Sequence, residues 1–474
     1  MNTHTLEEVI ADALGIPAAS VTDELGYGTI PEWDSLRHVE LMLALEEHWG
    51  VRIDADLVLD LTSVEAIRNF ARRRSEGVAR LTPAAPEGPT VHRGLNGVYV
   101  DDTRISHIDG GAGRLAYRGY PIEDLVRHAT FEETAFLLLF GDLPTGRERE
   151  AFRKELKASR TIPPPVVEVL RQVKDARPID ALRTGMSALA AFDPDRDDRS
   201  VDGMRRAGVR LIAQVPTVLG AHRAAAAGRA PRGRLDEPPY AGFVLSSLTD
   251  EVPSERAVRS FEQGLILLAE HGSNASAFAA RVAIGTGGDL HGAVTAAIAA
   301  FAGPLHGGAI EGVTEMVREI GEPSRAAEHV QSLRARQEPV FGLGHRLYRT
   351  EDPRARVLRG LARELSSDAG DQNPFLILEE VRTAMHPHTR FGVDVNVDFY
   401  AGLVFSLLGI RTELLTSTFA AARMVGWVAH ALEQRRNNVL IRPLLRYVGE
   451  NARAYTSLAN RRTSQPGRPA SGND

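Results

Sequence analysis

The residues best suited to chemistry lie in one stretch, Phe341–Arg356, with the sequence FGLGHRLYRTEDPRAR. Gly342 and Gly344 precede His345, and glycines there let the backbone take positive φ angles and let a ligand approach it closely. The arginines that follow can bind carboxylates in a bidentate manner, and a histidine can donate a proton near neutral pH. The stretch predicts a site for a compact, multiply charged anion, although on its own it fits a solvated basic loop equally well.

Two more histidines and one aspartate stand in polar or glycine-bearing settings inside apolar sequence. They are His271 in LLAEHGSNASAF, His306 in GPLHGGA and Asp398 in FGVDVNVDFYAG. An apolar setting raises the pKa of a carboxyl group, so Asp398 is a candidate general base. A lone buried histidine is more often a hydrogen-bonded core residue. A zinc site is a further alternative, although the sequence has no HExxH motif or comparable short pair.

Two arginines further along lie in apolar sequence with helical spacing. They are Arg423 in AARMVGW and Arg442 in LIRPLL. An unpaired guanidinium would be costly in such a setting, so each arginine is expected to pair with an acid or with a bound anion.

The elements that must position these residues are mainly helices. Helical apolar spacing extends through Phe131–Phe140, Ala181–Ala191, Val209–Ala226 and Phe261–Ile284. There is no βαβ rhythm, Walker motif or GxGxxG loop, so nucleotide binding of the Rossmann type is not expected. From Gly94 onward, short β-branched stretches around glycine turns predict a small strand-and-turn segment before the helices.

The chain has 474 residues, too many for one ordinary core, so more than one domain is expected. It is 25% charged and 43% hydrophobic and contains no cysteine for a disulfide or a thiolate site. Its first residues do not read as a signal peptide, and no apolar run is long enough to span a membrane. The prediction is a cytoplasmic globular protein that binds neither membrane nor nucleic acid.

Charge divides the chain into two parts. Residues 1–71 hold fourteen acidic residues against three arginines, a balance of about −11, which leaves about +5 for the rest. Apolar spacing predicts three helices in the acidic part: at Leu6–Leu14, after Ser35, and over about Ser63–Arg74. The proline-rich stretch Arg80–Thr90 then predicts an extended linker.

The acidic part resembles the acyl carrier protein family. The resemblance covers about residues 5–74 and rests on PEWDSLRHVELMLALEEHWGVRI, in which Asp-Ser-Leu precedes an acidic helix. It implies that Ser35 carries 4′-phosphopantetheine attached by a phosphopantetheinyl transferase, and that other enzymes dock on the acidic helix. The ordinary alternative is a helical module in which Ser35 only caps its helix.

The larger part resembles the citrate synthase family over roughly residues 94–450. The segments that carry the resemblance are, in order, GLNGVYVDDTRISHIDGGAGRLAYRGYPIEDL, FEETAFLLLFGDLPT, IDALRTGMSAL, GPLHGGAIEGV, GLGHRLYRTEDPRA, NVDFYAG, and GWVAHALEQ followed by IRP. The condensing residues that it implies are His306, His345 and Asp398. The keto-acid ligands that it implies are His271, His345, Arg354, Arg423 and Arg442. It also implies a contact between Arg349 and the phosphates of CoA.

The implied reaction joins an acyl thioester to oxaloacetate or a related 2-oxo dicarboxylic acid, without a metal, in a homodimer. Asp398 would take a proton from the α-carbon while His306 donates a hydrogen bond to the thioester oxygen. His345 would protonate the new alkoxide, and the arginines would hold the carboxylates. Two positions depart from the family. Glu270-His271-Gly272 stands where Asp-His-Glu is usual, and Arg177 replaces a frequent histidine.

The predicted fold class is all-α. The domains expected are a carrier-like helical bundle at 1–78, a linker at 79–93, a two-domain citrate synthase-like body at 94–455 with its small domain at roughly 319–416, and a disordered tail at 456–474. The preferred function is a condensing enzyme whose acyl group is carried by Ser35 or by CoA. The alternatives are an ordinary citrate or 2-methylcitrate synthase using free acyl-CoA, with a docking or regulatory carrier, and a non-catalytic scaffold that presents the carrier.

Overall fold

A computed structural model of the chain describes residues 5–30, 32–33, 35–51, 53, 55–75, 91–95, 97–230, 239–249, 251–336, 338–450 and 453–457, and for a few of these, Ser35 among them, the backbone alone. Apart from residues 91 and 442–457, the described residues belong to one compact unit. Most of the predicted linker, at 79–90, and the predicted tail beyond residue 457 lie outside the described residues.

Four helices form the N-terminal module, which we define as residues 5–75. They are α1 (Leu6–Leu14), α2 (Ser35–Trp49), α3 (Ala55–Asp60) and α4 (Val64–Ser75). Thr5 and Glu8 form a capping box at the start of α1, and Gly15 ends this helix with a left-handed φ of 65°. In the module core, the fully buried Trp33 donates from Nε1 to Nδ1 of His38 at 3.1 Å. The three predicted helices are confirmed, whereas α3 was not predicted.

Three short strands open the body, which we define as residues 94–441. They are β1 (Ser106–Asp109), β2 (Arg114–Tyr117) and β3 (Tyr120–Pro121). They form an antiparallel sheet in the order β1-β2-β3, with Ser106 opposite Tyr117. Gly113 and Gly119 take φ angles of 60° and 90° between the strands, where a side chain would be strained. The predicted strand-and-turn segment is confirmed.

The rest of the body is built from helices, which confirms a mainly α fold. They are α5 (Ile122–His128), α6 (Phe131–Phe140), α7 (Gly146–Ala158), α8 (Pro164–Gln172), α9 (Pro178–Leu189), α10 (Val201–Ala226), α11 (Tyr240–Thr249), α12 (Glu255–Leu268), α13 (Ala275–Gly285), α14 (Leu290–Phe301), α15 (Ala309–Ile320), α16 (Ala326–Ala335), α17 (Pro353–Asp368), α18 (Asn373–Met385), α19 (Asp398–Leu407) and α20 (Leu415–Arg436). Short 3-10 helices join several of them, including His386–Phe391 between α18 and α19. None of the described helices is long and apolar enough to cross a membrane.

Helix α20 lies at the centre of the body. Every residue from Leu415 to Leu432 is buried, and the helix packs against α6, α9, α10, α12, α13, α14 and α15. A helix that is buried all round must be apolar on nearly every side. Arg423 and His430, which lie within this stretch, therefore need polar partners inside the protein.

The prediction of one continuous helix over Phe261–Ile284 is wrong, because the chain leaves the helix between α12 and α13. Gly272 takes a φ of 61° in this break, and the Asn274 side chain caps α13 by accepting a backbone hydrogen bond from it. A left-handed glycine and an asparagine cap both stop a helix, although the apolar spacing continues on either side. The break places His271 in a turn.

The prediction of helical structure around Arg442 is also wrong. Helix α20 ends at Arg436, and the described residues after it form no helix or strand. Arg442 precedes Pro443, and a following proline disfavours the helical conformation. The apolar side chains of this segment are between 62% and 95% exposed at Val439, Leu440, Leu444, Leu445, Tyr447, Val448 and Tyr455.

Candidate active site

His271 lies in the turn between α12 and α13 and is 6% exposed. Its Nε2 is 3.1 Å from the hydroxyl of Tyr348, and its ring lies edge-on to that of His345 with the centroids 5.0 Å apart. Burial, helped by the charge of Arg354, lowers the pKa of His271 well below its ordinary value. The imidazole is therefore neutral and offers hydrogen bonds without charge.

The loop that carries His345 is fixed against the start of α19. Asn396 donates from Nδ2 to the carbonyl of Gly344 at 3.0 Å. Gly342 has a φ of 79°, and a Cβ at this position would lie 2.9 Å from the Cα of Phe399. Because only glycine tolerates both the left-handed angle and this close approach, the backbone sets the position of His345.

Backbone groups also determine the tautomer of His345. Its Nδ1 accepts hydrogen bonds from the N–H groups of Leu347 at 2.9 Å and Tyr348 at 3.1 Å. The neutral ring must then carry its proton on Nε2. Burial lowers the pKa of His345 to about 4, with Arg354 adding to the effect and Asp352 opposing it. At neutral pH this side chain is a neutral donor through Nε2.

His306 lies in the turn between α14 and α15, with its ring 4.9 Å from that of Phe301. Its Nε2 is 2.9 Å from Oγ of Ser276 and 3.4 Å from the backbone nitrogen of the same residue. Because a backbone N–H points at Nε2, this nitrogen is the acceptor and the ring proton lies on Nδ1. Burial, together with the charge of Arg423, lowers the pKa of His306 to about 4.

Asp398 is the first residue of α19. Its backbone N–H donates to Oδ1 of Asn396 at 3.0 Å, whereas its own buried Oδ1 has no hydrogen-bond partner in the described structure. Burial raises the pKa of Asp398 to about 7, although Arg354 works in the opposite direction. A carboxylate without a partner that titrates near neutrality can serve as a general base.

Two buried arginines, each 2% exposed, lie beside these groups. Arg354 donates from Nε and Nη2 to the carboxylate of Asp352 at 3.0 and 2.6 Å. Arg423 donates from Nε to the carbonyl of Leu268 at 2.7 Å and forms no ion pair with a described residue. Burial and the charge of Arg354 lower the pKa of Arg423 to about 10. A bound carboxylate would be the natural partner of Arg423.

Among the described residues, His271, His345 and Asp352 could hold a zinc ion together, since their possible ligand atoms lie within 4.8 Å of one another. Nδ1 of His345 already accepts two backbone hydrogen bonds. Both oxygens of Asp352 accept from the guanidinium of Arg354. A cation would compete with these bonds and with the two arginine charges. The charge of the cluster therefore favours an anionic ligand over a metal ion.

A buried polar network supports the turn that presents His271. Glu270 is fully buried, and its Oε1 accepts from the hydroxyl of Ser106, from Nε2 of His430 and from the backbone N–H of Gly272. Arg281 donates to Nδ1 of the same His430 at 2.9 Å, which leaves the proton of that ring on Nε2. Burial raises the pKa of Glu270, but His430 and Arg423 together lower it below its ordinary value.

The structure thus brings together most of the predicted site residues. Arg423 is close enough to lower the pKa values of His271, His306 and Asp398 through its charge. Arg354 has the same effect on His271, His345 and Asp398. These six residues come from loops and helices far apart in the sequence and form one cluster.

Three other predicted site residues are not among these six, although the charge of Arg349 also lowers the pKa of His345. Arg349 is exposed, with its backbone N–H bonded to the carbonyl of Gly110 at 2.9 Å. Arg442 is exposed and belongs to the second unit, and Ser35 begins helix α2 in the N-terminal module. Arg177, where the sequence departs from the family, forms a surface ion pair with Asp180.

Sequence reasoning assigned no structural role to four residues that hold the cluster in place. Tyr348 contacts His271, Ser276 orients His306, Asp352 pairs with Arg354, and Glu270 braces the turn. Only Asp352 carried a local signal, because an aspartate before proline is a common start of a helix. The other contacts join distant segments and leave no mark on local sequence.

The citrate synthase C-terminal domain family matches this chain over residues 94–444. The chain is 38% identical over 376 residues to the citrate synthase of Deinococcus radiodurans, covering 78% of this chain and 99% of that protein. It is 38% identical over 372 residues to a 2-methylcitrate synthase of Mycobacterium tuberculosis, and the match covers 78% of this chain and 94% of that protein.

Solved structures agree with these sequence matches. The citrate synthase from Pyrobaculum aerophilum gives a TM-score of 0.74 at 38% identity, covering 80% of this chain and 97% of that chain. Citrate synthase from Thermoplasma acidophilum gives a TM-score of 0.75 at 29% identity, covering 78% of this chain and 100% of that chain. That protein was solved as a ternary complex with carboxymethyl coenzyme A and oxaloacetate.

The body is therefore a mainly helical enzyme that transfers acyl groups to form citrate-like products. The chain belongs to the citrate synthase family. The match begins at residue 94, so the N-terminal module lies outside it.

We expect Glu270→Ala to lower the free energy of unfolding by about 3–5 kcal/mol, because it strands buried donors on His430 and Gly272. Denaturant unfolding measures this change. Glu150→Ala is the matched control, since the Glu150 side chain is 75% exposed and its removal should cost no more than about 0.5 kcal/mol. Equal stability of the two variants would contradict the bracing role of Glu270.

The raised pKa of Asp398 predicts a stability effect with a definite sign. Because the folded state binds this proton more tightly than the unfolded state, the free energy of unfolding falls as pH rises from about 4 to about 7. Asp398→Asn should therefore be more stable than wild type at pH 8, by on the order of 2 kcal/mol, and should lose this advantage at pH 4.

Denaturant unfolding across this pH range checks the Asp398 prediction. Asp197→Asn, at a side chain that is 82% exposed, should follow wild type at every pH. A wild-type protein as stable as Asp398→Asn at pH 8 would show that the folded state does not disfavour the charged carboxylate.

Proposed function

We propose that the body condenses a short acyl thioester, carried by CoA or by the N-terminal module, with oxaloacetate or a related 2-oxo dicarboxylic acid. The observation that carries this proposal is the unpartnered carboxylate oxygen of Asp398 beside two buried arginines and two neutral histidines. A base, neutral donors and a cationic pocket are what enol formation and attack on a dianionic ketone require.

Asp398 would remove a proton from the α-carbon of the thioester. As that C–H bond breaks, negative charge develops on the thioester oxygen, and the N–H at Nδ1 of His306 would donate a hydrogen bond to it. Ser276 favours this role, because it occupies the other ring nitrogen as a donor. A donor fixed before the reaction stabilises the developing enol without reorganisation.

The enol carbon then forms a bond to the ketone carbon, and the ketone oxygen gains the negative charge. Nε2 of His345 carries a proton and would transfer it to this alkoxide. Arg354 and Arg423 would bind the carboxylates of the keto acid, with His271 adding a neutral hydrogen bond. Water would finally cleave the thioester of the product.

Closure of a small domain at roughly 319–416 would keep the condensation step away from bulk water. The packing of α16 on α18 and of α17 on α19 supports a helical subdomain in this part of the body. His345 and Asp398 both lie within it, whereas His271, His306 and Arg423 lie outside. Movement of one part against the other would assemble the cluster around the substrates.

The acyl group would be delivered by 4′-phosphopantetheine on Ser35, attached by a phosphopantetheinyl transferase. The support is the acidic helical module, in which α2 begins at the serine of the Asp-Ser-Leu sequence. Other enzymes docking on the acidic module would then load its acyl group. The linker and the domain bounds predicted from the sequence belong to this proposal.

A second candidate is an ordinary citrate or 2-methylcitrate synthase that takes acyl-CoA from solution. Two similar proteins favour this candidate. This chain covers 99% of the length of a citrate synthase and 94% of the length of a 2-methylcitrate synthase. Arg349 would then bind the phosphates of CoA. The non-catalytic scaffold is set aside, because the chain is an enzyme of the citrate synthase type.

A homodimer is part of the proposal. Apolar side chains such as Leu444, Leu445 and Val448 are at least 82% exposed in the single chain. An exposed apolar set of this size is typical of a protein–protein contact. A second copy of the chain would cover this set, and Arg442 would then lie at the contact between the two copies.

We expect Asp398→Asn to lower kcat by about 10²–10⁴-fold, with little change in KM for oxaloacetate, because only the base is lost. Steady-state assays with acetyl-CoA and with propionyl-CoA measure this change. Asp197→Asn is the matched control on an exposed side chain. Turnover by Asp398→Asn within tenfold of wild type would exclude this carboxylate as the base.

We expect a phosphopantetheinyl transferase with acetyl-CoA to add an acetyl-pantetheine mass to wild type and not to Ser35→Ala, as read by intact-protein mass spectrometry. Loss of the acetyl mass on addition of oxaloacetate, with citrate formed, would support the tethered substrate. A carrier that stays acetylated while free acetyl-CoA turns over would favour the second candidate. Equal loading of Ser35→Ala would place the arm at another residue.

A further inference from the structure

The N-terminal module lies docked on the body. Helix α3 packs against the 3-10 helix His386–Phe391. On the neighbouring helix α2, Glu40 pairs with Arg334 of α16 at 3.5 Å, with side chains that are 18% and 32% exposed. Two helices of the module thus contact two segments of the body that are distant in sequence.

We call the body side of this contact the docking face and define it as Arg334, Arg349 and His386–Phe391. Arg349 belongs to it because a Cβ on Gly392, which ends the 3-10 helix, would lie 3.1 Å from Cδ of this arginine. The arginine and the helix that α3 contacts are therefore packed together.

The docking face is continuous with the backbone of the candidate active site. The segment after Gly392 forms a β-bridge between Val395 and Leu343 of the loop that carries His345. The same segment leads directly into Asp398 at the start of α19. The 3-10 helix that the module contacts is therefore followed by a segment that pairs with the loop of His345, the proposed acid, and leads to Asp398, the proposed base.

Arg349 also acts across the contact. Burial lowers the pKa of His38 in the module, and the charge of Arg349 lowers it further. His38 lies about one helical turn after Ser35 on α2. A phosphodiester on Ser35 would thus lie at the N-terminal end of α2 and near Arg349, and both favour negative charge.

Charge and connectivity favour the same contact. Residues 1–71 carry a net charge of about −11, and the docking face presents Arg334 and Arg349 to them, so the charges at this face are complementary. The module and the body are joined in one chain, which keeps their effective concentration near the millimolar range for a short linker. A contact that is weak between separate molecules would be well occupied under these conditions.

We infer that the docking face receives the module of the same chain and is the entrance through which its tethered acyl group reaches Asp398. Arg349 then binds the phosphodiester on Ser35, in the place where it would otherwise bind the phosphates of CoA. This inference rests on the proposed attachment at Ser35. It implies that the docked, loaded module and free acyl-CoA compete for the same arginine.

Charge reversal at the Glu40–Arg334 pair tests the docking face. The full-length protein is loaded with acetyl-pantetheine, oxaloacetate is added, and the loss of the acetyl mass is followed in a single turnover. Arg334→Glu and Glu40→Arg should each slow this loss by about 5- to 10-fold, because like charges then face each other. The double reversal should restore most of the rate.

Arg336→Glu is the matched control, since Arg336 is 54% exposed and pairs with Glu338 of the body. It should discharge at the wild-type rate. Turnover of free acetyl-CoA by the unloaded variants reports whether the site itself is intact.

The outcomes separate the docking face from the proposal on which it rests. Equal discharge rates in fully loaded wild type and Arg334→Glu would overturn the docking face and leave the attachment at Ser35 standing. A double reversal as slow as the single variants would also overturn it. Failure of wild type to accept pantetheine would overturn the attachment itself, and the docking inference with it.

Discussion

The burial of two guanidinium groups beside each other is the constraint on which the rest of the site depends. Arg423 lies within the fully buried stretch of α20 and Arg354 near the start of α17, and each lowers the pKa values of nearby groups. Buried charge is costly unless it is paired. Asp352 pairs with Arg354, and Glu270 lies near Arg423 in the network that braces the turn of His271. The remaining positive field is what a dicarboxylic substrate would neutralise.

The same field explains why the histidines of the cluster are neutral. An imidazolium would add a third cation to the pocket, and burial already disfavours it. Neutral rings must still present the correct nitrogen, and backbone groups accomplish this at His345 and His306. Asp398 is the opposite case, because the fold leaves its carboxylate oxygen without a partner. The protein thus retains a destabilised group at the position where a base is useful.

The N-terminal module adds a second level of organisation. The match to the family begins at residue 94, yet the module contacts the body through α3 and Glu40 at segments that continue into the site. A substrate carried on the same chain would need no search through solution, only a docked orientation. At the contact itself, the acidic module meets Arg334 and Arg349 of the body, so opposite local charges favour this orientation.

The sequence by itself determined the mainly helical body, the strand-and-turn segment and the residue types of the cluster, because these depend on local spacing and on short motifs. It did not reveal the break between α12 and α13, since apolar spacing continues across Gly272. It also placed Arg442 in a helix that Pro443 prevents. Only the tertiary structure decided which nitrogen of His345 carries the proton, what braces His271 and where the module contacts the body. Each of these depends on hydrogen bonds and packing between segments that are distant in the chain, and such contacts leave no local pattern.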